Sequence, residues 1–346
     1  MIRRLFPLLL ALAACHDQAA GGGAAARDQI KAVGSSTVYP FTTLVAEQYL
    51  AGAPQARPPV IESTGTGAGL KLFCGGIGAA WPDIADASRR MRRSEFDRCT
   101  ANGVDGILEV PIGIDGVAIA RARSGPALAL SPAILYRALA AAPGGRANAA
   151  RTWQDVDPAL PASRIQVYGP PATSGTRDAL AELILAAGCE QVDPATRALR
   201  LRDEAAFAAR CTRLREDGAY VDAGENDNLI VQKLQVNPDA LGVFGYSYLE
   251  ENMGVVEGVP LAGIAPTAAA ISDGSYPGAR PLYLYVKRQH LAAIPGLRRF
   301  LALYVRLLGS EGPLARRGLI PTTAPVQAGA RAIVRDELTL DRDALS

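Results

Sequence analysis

The sequence predicts an α/β fold, and three observations carry that expectation. Strand-like apolar runs alternate with helix-like stretches along the chain. Three of those runs break into Gly/Ser/Thr clusters, each of which opens onto a helix-like stretch. A length of 346 residues favours two domains over one.

Taken in order, Ile30-Lys31-Ala32-Val33 is the first run and Gly34-Ser35-Ser36-Thr37 its cluster. Pro40 follows where a first helical turn tolerates it, and Phe41, Leu44, Val45 and Tyr49 share one helical face. Val60-Ile61-Glu62 runs into Ser63-Thr64-Gly65-Thr66-Gly67. Residues 82–88 read as a strand ending on Ser88, and Ser94-Glu95 begins a helix. The strand-like stretch 110–119 is broken by Gly113 and by Asp115-Gly116. Residues 132–141 predict a helix rich in Ala and Leu. Ile165-Gln166-Val167-Tyr168 leads to the third cluster, Thr173-Ser174-Gly175-Thr176, and a helix over 179–187 follows. Beyond it come a helix over 229–236, strands over 241–246 and 282–286, and an amphipathic helix over 297–308. The charged end, 336–346, is expected to fray. Trp81, Trp153 and Tyr246 read as core or packing residues.

The N-terminus carries an export signal. Met1-Ile2-Arg3-Arg4 is basic, and 5–12 is apolar but too short to span a bilayer. Leu12-Ala13-Ala14-Cys15 resembles the bacterial lipobox. That resemblance implies removal of a lipoprotein signal peptide, 1–14, and acylation of Cys15, so that lipid holds the chain on a membrane. An ordinary signal peptide cut near Ala14 is the alternative. Residues 15–27 read as a flexible Gly/Ala tether. Cleavage would remove two of the 36 Lys and Arg, leaving 34 against 34 Asp and Glu. A formally neutral chain gives no argument for nucleic acid.

Five cysteines suit an exported protein. With Cys15 set aside, sequence proximity pairs Cys74 with Cys99 and Cys189 with Cys211, although other pairings stay open. There is no CxxC, and the only histidines are His16 in the tether and His290, expected on a surface helix. No metal site and no cofactor is therefore expected.

The clusters point to chemistry. A helix N-terminus presents unpaired N–H groups and the positive end of the helix dipole. Glycine admits close backbone approach, and Ser/Thr hydroxyls add donors. One such cluster is usually an ordinary N-cap. Several converging on one point would form an anion cage.

The motifs together resemble the phosphate-binding proteins of phosphate ABC transporters, the PstS family. The matching segments are 34–41 (Gly-Ser-Ser-Thr-Val-Tyr-Pro-Phe), 62–67 (Glu-Ser-Thr-Gly-Thr-Gly), 83–89 (Asp-Ile-Ala-Asp-Ala-Ser-Arg) and 169–178 (Gly-Pro-Pro-Ala-Thr-Ser-Gly-Thr-Arg-Asp), with Asn226-Asp227-Asn228 before the 242–246 strand. The match runs in order from about residue 30 to about residue 321. It implies a two-lobed, type II periplasmic-binding-protein fold with phosphate buried between the lobes. Lobe I would hold 28–112 plus 281–346 and lobe II 113–280, hinged near Gly113 and Pro281. The resemblance further implies a monomeric, periplasmic protein that hands inorganic phosphate to ABC transporter permease subunits. Position by position, the phosphate-facing groups would be Ser36, Thr37, the backbone N–H of Val38, Thr66, Ser174, Gly175 and Thr176.

Two departures stand out. Where the best-studied branch has an aspartate that accepts the phosphate proton, this chain has Ser88, followed by Arg89. Where that branch has an arginine ahead of Ser-Gly-Thr, this chain has Pro170, with Arg177 after the motif. Ser88, Arg89 and Arg177 thus become candidate anion contacts. Arg89 also reads as one cation of a solvated stretch with Arg90, Arg92 and Arg93. The missing acceptor would be Asp86, Asp115 or Asp227, with Asp115 preferred, although Asp115 also fits a plain Ile-Asp-Gly turn. Sulfate, molybdate or a phosphonate remain alternative ligands, and sensing or adhesion an alternative use. An enzyme is not expected: the sequence has no Gly-x-Ser-x-Gly elbow around Ser174, no P-loop and no catalytic histidine.

Overall fold

The computed structural model describes residues 27–172, 174–224 and 226–345. Cys15, His16 and the proposed signal and tether up to residue 26 lie outside the described residues.

The strand-to-helix alternation folds as the pattern predicts. β1 (Lys31–Gly34) leads to α1 (Tyr39–Ala51), β2 (Val60–Ser63) to α2 (Thr66–Phe73), and β3 (Ile84–Ala87) to α3 (Arg93–Ala101). β1 pairs in parallel with β2 and β3. Ala32, Val33, Ile84 and Ala85 are all fully buried, the mark of parallel strands covered on both faces. Pro40 sits in the first turn of α1, whose apolar face buries Phe41, Val45 and Tyr49. Opposite it lies α8 (Leu297–Arg306), and the Tyr49 and Phe300 rings meet edge to face at 5.7 Å.

β4 (Ile107–Ala122) is one strand of 16 residues. The sequence suggested breaks at Gly113 and at Asp115-Gly116. The structure instead absorbs the irregularity as a register shift between Pro111 and Gly113, and the strand continues. Next come α4 (Pro132–Leu139), β5 (Val167–Gly169) and α5, which starts as Gly175–Ala179, winds as a π-helix through Leu180–Leu185 and ends as Ala186–Val192. π-Helical turns inside a helix are frequent at functional sites. α6 (Glu204–Cys211), β6 (Tyr220–Asp222), α7 (Asp227–Val236), β7 (Leu241–Gly245), β8 (Val256–Gly258), β9 (Ala279–Lys287) and α9 (Ala324–Asp336) complete the elements used below.

The strands run in the order β2-β1-β3-β9-β4-β7-β5-β6, with β8 also on β4. β4 is antiparallel to β9 along its first part and to β7 and β8 along its last. The apolar core divides at this ladder: one body of buried side chains comes from 114–276, the others from 30–112 and 282–330. Trp153 and Tyr246 are buried in the first.

Disulfides join Cys74 to Cys99 and Cys189 to Cys211, the pairings that sequence proximity suggested. Two other expectations are corrected. The charged end does not fray: Leu340 N–H donates to Ile107 O at 2.7 Å, and Arg93 holds Leu345 O at 2.8 Å. His290 is not a surface residue but is 2 % exposed, its Nδ1 2.6 Å from Asp83. The helix it starts is four residues long and packs against β9 and α8, with the His290 ring turned onto Asp83, the residue before β3.

Candidate functional site

The first two clusters adjoin because their strands do. Gly34 ends β1 with φ +138°, and a Cβ there would meet Asp86 O at 2.1 Å, so only glycine fits. Its carbonyl accepts from Thr64 N–H and Gly65 N–H, both at 2.8 Å. Ser35 N–H donates to Asp86 O, and Ser35 Oγ accepts from Thr37 N–H. Thr66 and Ser88 close the arrangement: their hydroxyls are 2.9 Å apart, and Ser88 N–H donates to Thr66 Oγ1 at 3.1 Å.

The third cluster comes from the other side of the sheet and meets the first. Ser174 caps α5 by accepting from Thr176 N–H. Gly175 packs so tightly on Thr37 that a Cβ would lie 2.6 Å from Thr37 Cα. Thr37 Oγ1 donates to Gly175 O at 3.2 Å, and Ser36 Oγ donates to Asp178 at 2.6 Å. Beside this contact is a cavity of about 320 Å³. Ser36, Thr37, Asp115, Ser174, Gly175 and Thr176 line it, together with Tyr39, Asp227, Ser247, Tyr248 and Arg317. Val38 is fully buried with its side chain in the core and does not line the cavity.

The other candidates stand elsewhere. Thr66 and Ser88 hold each other at the ends of β2 and β3 and do not line this cavity. Arg89 forks onto Glu95 at 2.8 and 2.9 Å. Burial works against the Glu95 carboxylate, but Arg89 and the Arg92 N–H hold its pKa below the usual value. Arg90 and Arg93 are exposed, as a solvated stretch has them, and each neighbouring cation is paired: Arg90 with Glu109, Arg92 with Glu204 and Arg93 with the C-terminal backbone. Arg177 does not line the cavity; its guanidinium lies over the Tyr220 ring at 4.9 Å.

The residue that sequence reading missed is Arg280, at the start of β9. The ladder sets it opposite Asp115, and its side chain is 3 % exposed. It donates from Nε to Asp115 at 3.3 Å, from Nη1 to Glu182 at 2.9 Å, and from Nη2 to Thr37 Oγ1 at 2.6 Å and to Gly175 O at 3.4 Å. No local pattern marks a lone arginine before a proline; only the β4–β9 register brings it to the clusters. Burial raises the Asp115 pKa, and the Arg280 charge, with its hydrogen bond and the Gly116 N–H, opposes that rise. Asp86 lies behind the first cluster, 1 % exposed, and burial pushes its carboxyl up to about 7 against a hydrogen bond from Thr42. No group of acidic, histidine or cysteine side chains suited to a metal occurs among the described residues.

The family model for the PBP superfamily domain matches residues 19–306. Protein SphX of Synechococcus elongatus is 29% identical over 328 residues, covering 91% of this chain and 84% of that protein. The phosphate-binding protein PstS of Staphylococcus saprophyticus is 26% identical over 299 residues, covering 84% of this chain and 80% of the relative. The crystal structure of a possible phosphate binding protein from Planctomyces limnophilus superposes with a TM-score of 0.71 at 25% identity, covering 90% of this chain and 99% of that one.

Proposed function

The chain belongs to the PBP superfamily, and from that premise we propose that it captures inorganic phosphate in the cleft where its first and third clusters meet. The observation that carries the reading is the contact of Thr37 with Gly175 across the β4–β9 ladder, beside a cavity rimmed by hydroxyls from both sides. Relatives over most of the chain are named phosphate-binding proteins, and none of the chemistry assigned here needs a bond in the ligand to break.

In this reading, 28–112 plus 281–346 form one lobe and 113–280 the other. β4 and β9 hinge them near Gly113 and Pro281. Phosphate enters the open cleft, and closure brings Ser36, Thr37, Ser174 and Thr176 onto its oxygens, with the Val38 and Gly175 N–H groups as further donors. Dry, charge-assisted hydrogen bonds of this kind are about twice as strong as neutral ones. Thr66 and Ser88 hold the first cluster in shape. Asp115 lines the cavity and is the assigned acceptor for the proton that phosphate carries near neutral pH. Sulfate brings no proton, so a carboxylate there would repel it. Export, acylation of Cys15 and delivery by a monomer to ABC importer membrane subunits complete the proposal. No helix of the described residues is long and apolar enough to cross a membrane.

Titration calorimetry with phosphate and sulfate from pH 6 to 8.5 tests it. Phosphate should bind and sulfate should not compete. Sulfate binding as tight as phosphate would overturn the assignment, and turnover of a chromogenic phosphate ester would overturn the binding-only role.

A further inference from the structure

We propose that Arg280 is the positioning residue that couples cleft closure to the hydrogen-bond polarity of Thr37. The inference rests on the anion-binding reading above and goes beyond it. A guanidinium carries five N–H donors in one plane and no acceptor. Buried at 3 % exposure, it is costly unless those donors are met. Its acceptors come from three separate places. Asp115 is on the facing strand, Thr37 belongs to the first cluster, and Gly175 and Glu182 belong to α5. Asp115, Gly175 and Glu182 share the proposed lobe of Arg280, and only the closed arrangement adds Thr37 to them. Opening the cleft along the proposed lobe boundary would take Thr37 away and leave water on Nη2, so closing the cleft and completing the Arg280 hydrogen bonds become one event.

The second consequence falls on Thr37. Its hydroxyl has one proton and accepts at 2.6 Å from a group that can only donate. That bond occupies a lone pair and turns the proton outward; here it reaches Gly175 O at 3.2 Å. An oxyanion in the cleft would compete with Gly175 O for that proton, and it would meet Thr37 as a donor. Arg280 acts through Thr37 and does not need to touch the ligand.

The test uses Arg280→Gln, Arg280→Lys, Thr37→Val and the Gln/Val double variant of the full mature chain. Phosphate affinity is read by calorimetry, and the radius of gyration by X-ray scattering with and without phosphate. Arg280→Gln should weaken phosphate binding about 30-fold or more, the range for truncating a buried hydrogen-bonded charge. The double variant should bind no more weakly than the weaker single one, because both remove the same bond. Without phosphate, Arg280→Gln should scatter as a larger particle than wild type. Arg280→Lys keeps the charge without the fork and should fall between, also serving if the Gln variant misfolds. Additive losses, or an unchanged affinity and radius, would overturn the proposal. If wild type binds no phosphate, the ligand reading fails, and the ligand-free scattering alone decides for or against Arg280.

Discussion

Two buried arginine–carboxylate knots use the same chemistry to opposite ends. In one, Asp83 is fully buried and accepts from Arg27 at 2.5 Å, His290 Nδ1 at 2.6 Å and Lys31 N–H at 2.7 Å. Gly78 N–H donates to His290 Nε2, so the ring proton sits on Nδ1, facing the carboxylate. Every one of these partners comes from 27–31, 78–83 or 290, on one side of the β4–β9 ladder. In the other, Arg280 draws on both sides. Under the proposed closure, the first would be satisfied whatever the cleft does, while the second would gain Thr37 only when the cleft is shut. A buried ionic group fastens a fold when its partners share one rigid body, and it reports a conformation when they do not.

The largest expected effect breaks the first knot. Asp83→Ala leaves Arg27 and His290 without their carboxylate and should cost about 3–5 kcal/mol of unfolding free energy. Urea denaturation measures it, and phosphate affinity of the protein that stays folded should be unchanged. A loss of affinity at wild-type stability would erase the distinction between the knots.

Next, Gly175→Ala places a methyl against the Thr37 backbone and should hold the cleft ajar. Calorimetry should show phosphate affinity down by about 100-fold, the scale of a 2–3 kcal/mol steric penalty, with thermal stability nearly constant. A lowered melting temperature with intact affinity would instead make Gly175 part of the core.

How much of this was legible in the sequence follows from how local each signal is. The α/β class, the clusters at 34–37 and 173–176 and both disulfides rest on neighbours in sequence. The register shift in β4, the partners of Arg89 and Arg177, and both knots do not. Arg280 reaches Asp115 across 165 positions and Thr37 across 243. Glu95, six residues from Arg89, could have been weighed as a rival to the anion, since its place in the first turn of α3 suits a carboxylate.

A pH experiment sharpens the comparison with an aspartate that belongs to neither knot. Burial raises the Asp86 carboxyl from 3.8 to about 7. Between those values the folded protein holds a proton that the unfolded chain has released, so stability falls as pH rises and levels off above about 7. Asp86→Asn removes that loss. Its melting temperature should exceed wild type by on the order of 3 °C at pH 8, a shift that about 1 kcal/mol produces in a chain of this size, and by less at pH 5. Equal shifts at both pH values would mean that the carboxyl does not titrate there.

The smallest effect is expected at Arg177. With its guanidinium on Tyr220, Arg177→Ala should change phosphate affinity less than about threefold and stability by about 0.5–1 kcal/mol. A larger drop in affinity would return Arg177 to the anion, as the sequence suggested.

Arg27 is the first described residue of the chain, and its guanidinium also grips Ala79 O and Trp81 O. Mechanical load arriving through the preceding residues would land on Asp83, on the half of the sheet that carries β1 and β3. Were the protein moored by its N-terminus, as proposed, that pull would enter through one lobe alone and leave the contact between Thr37 and Gly175 outside its path.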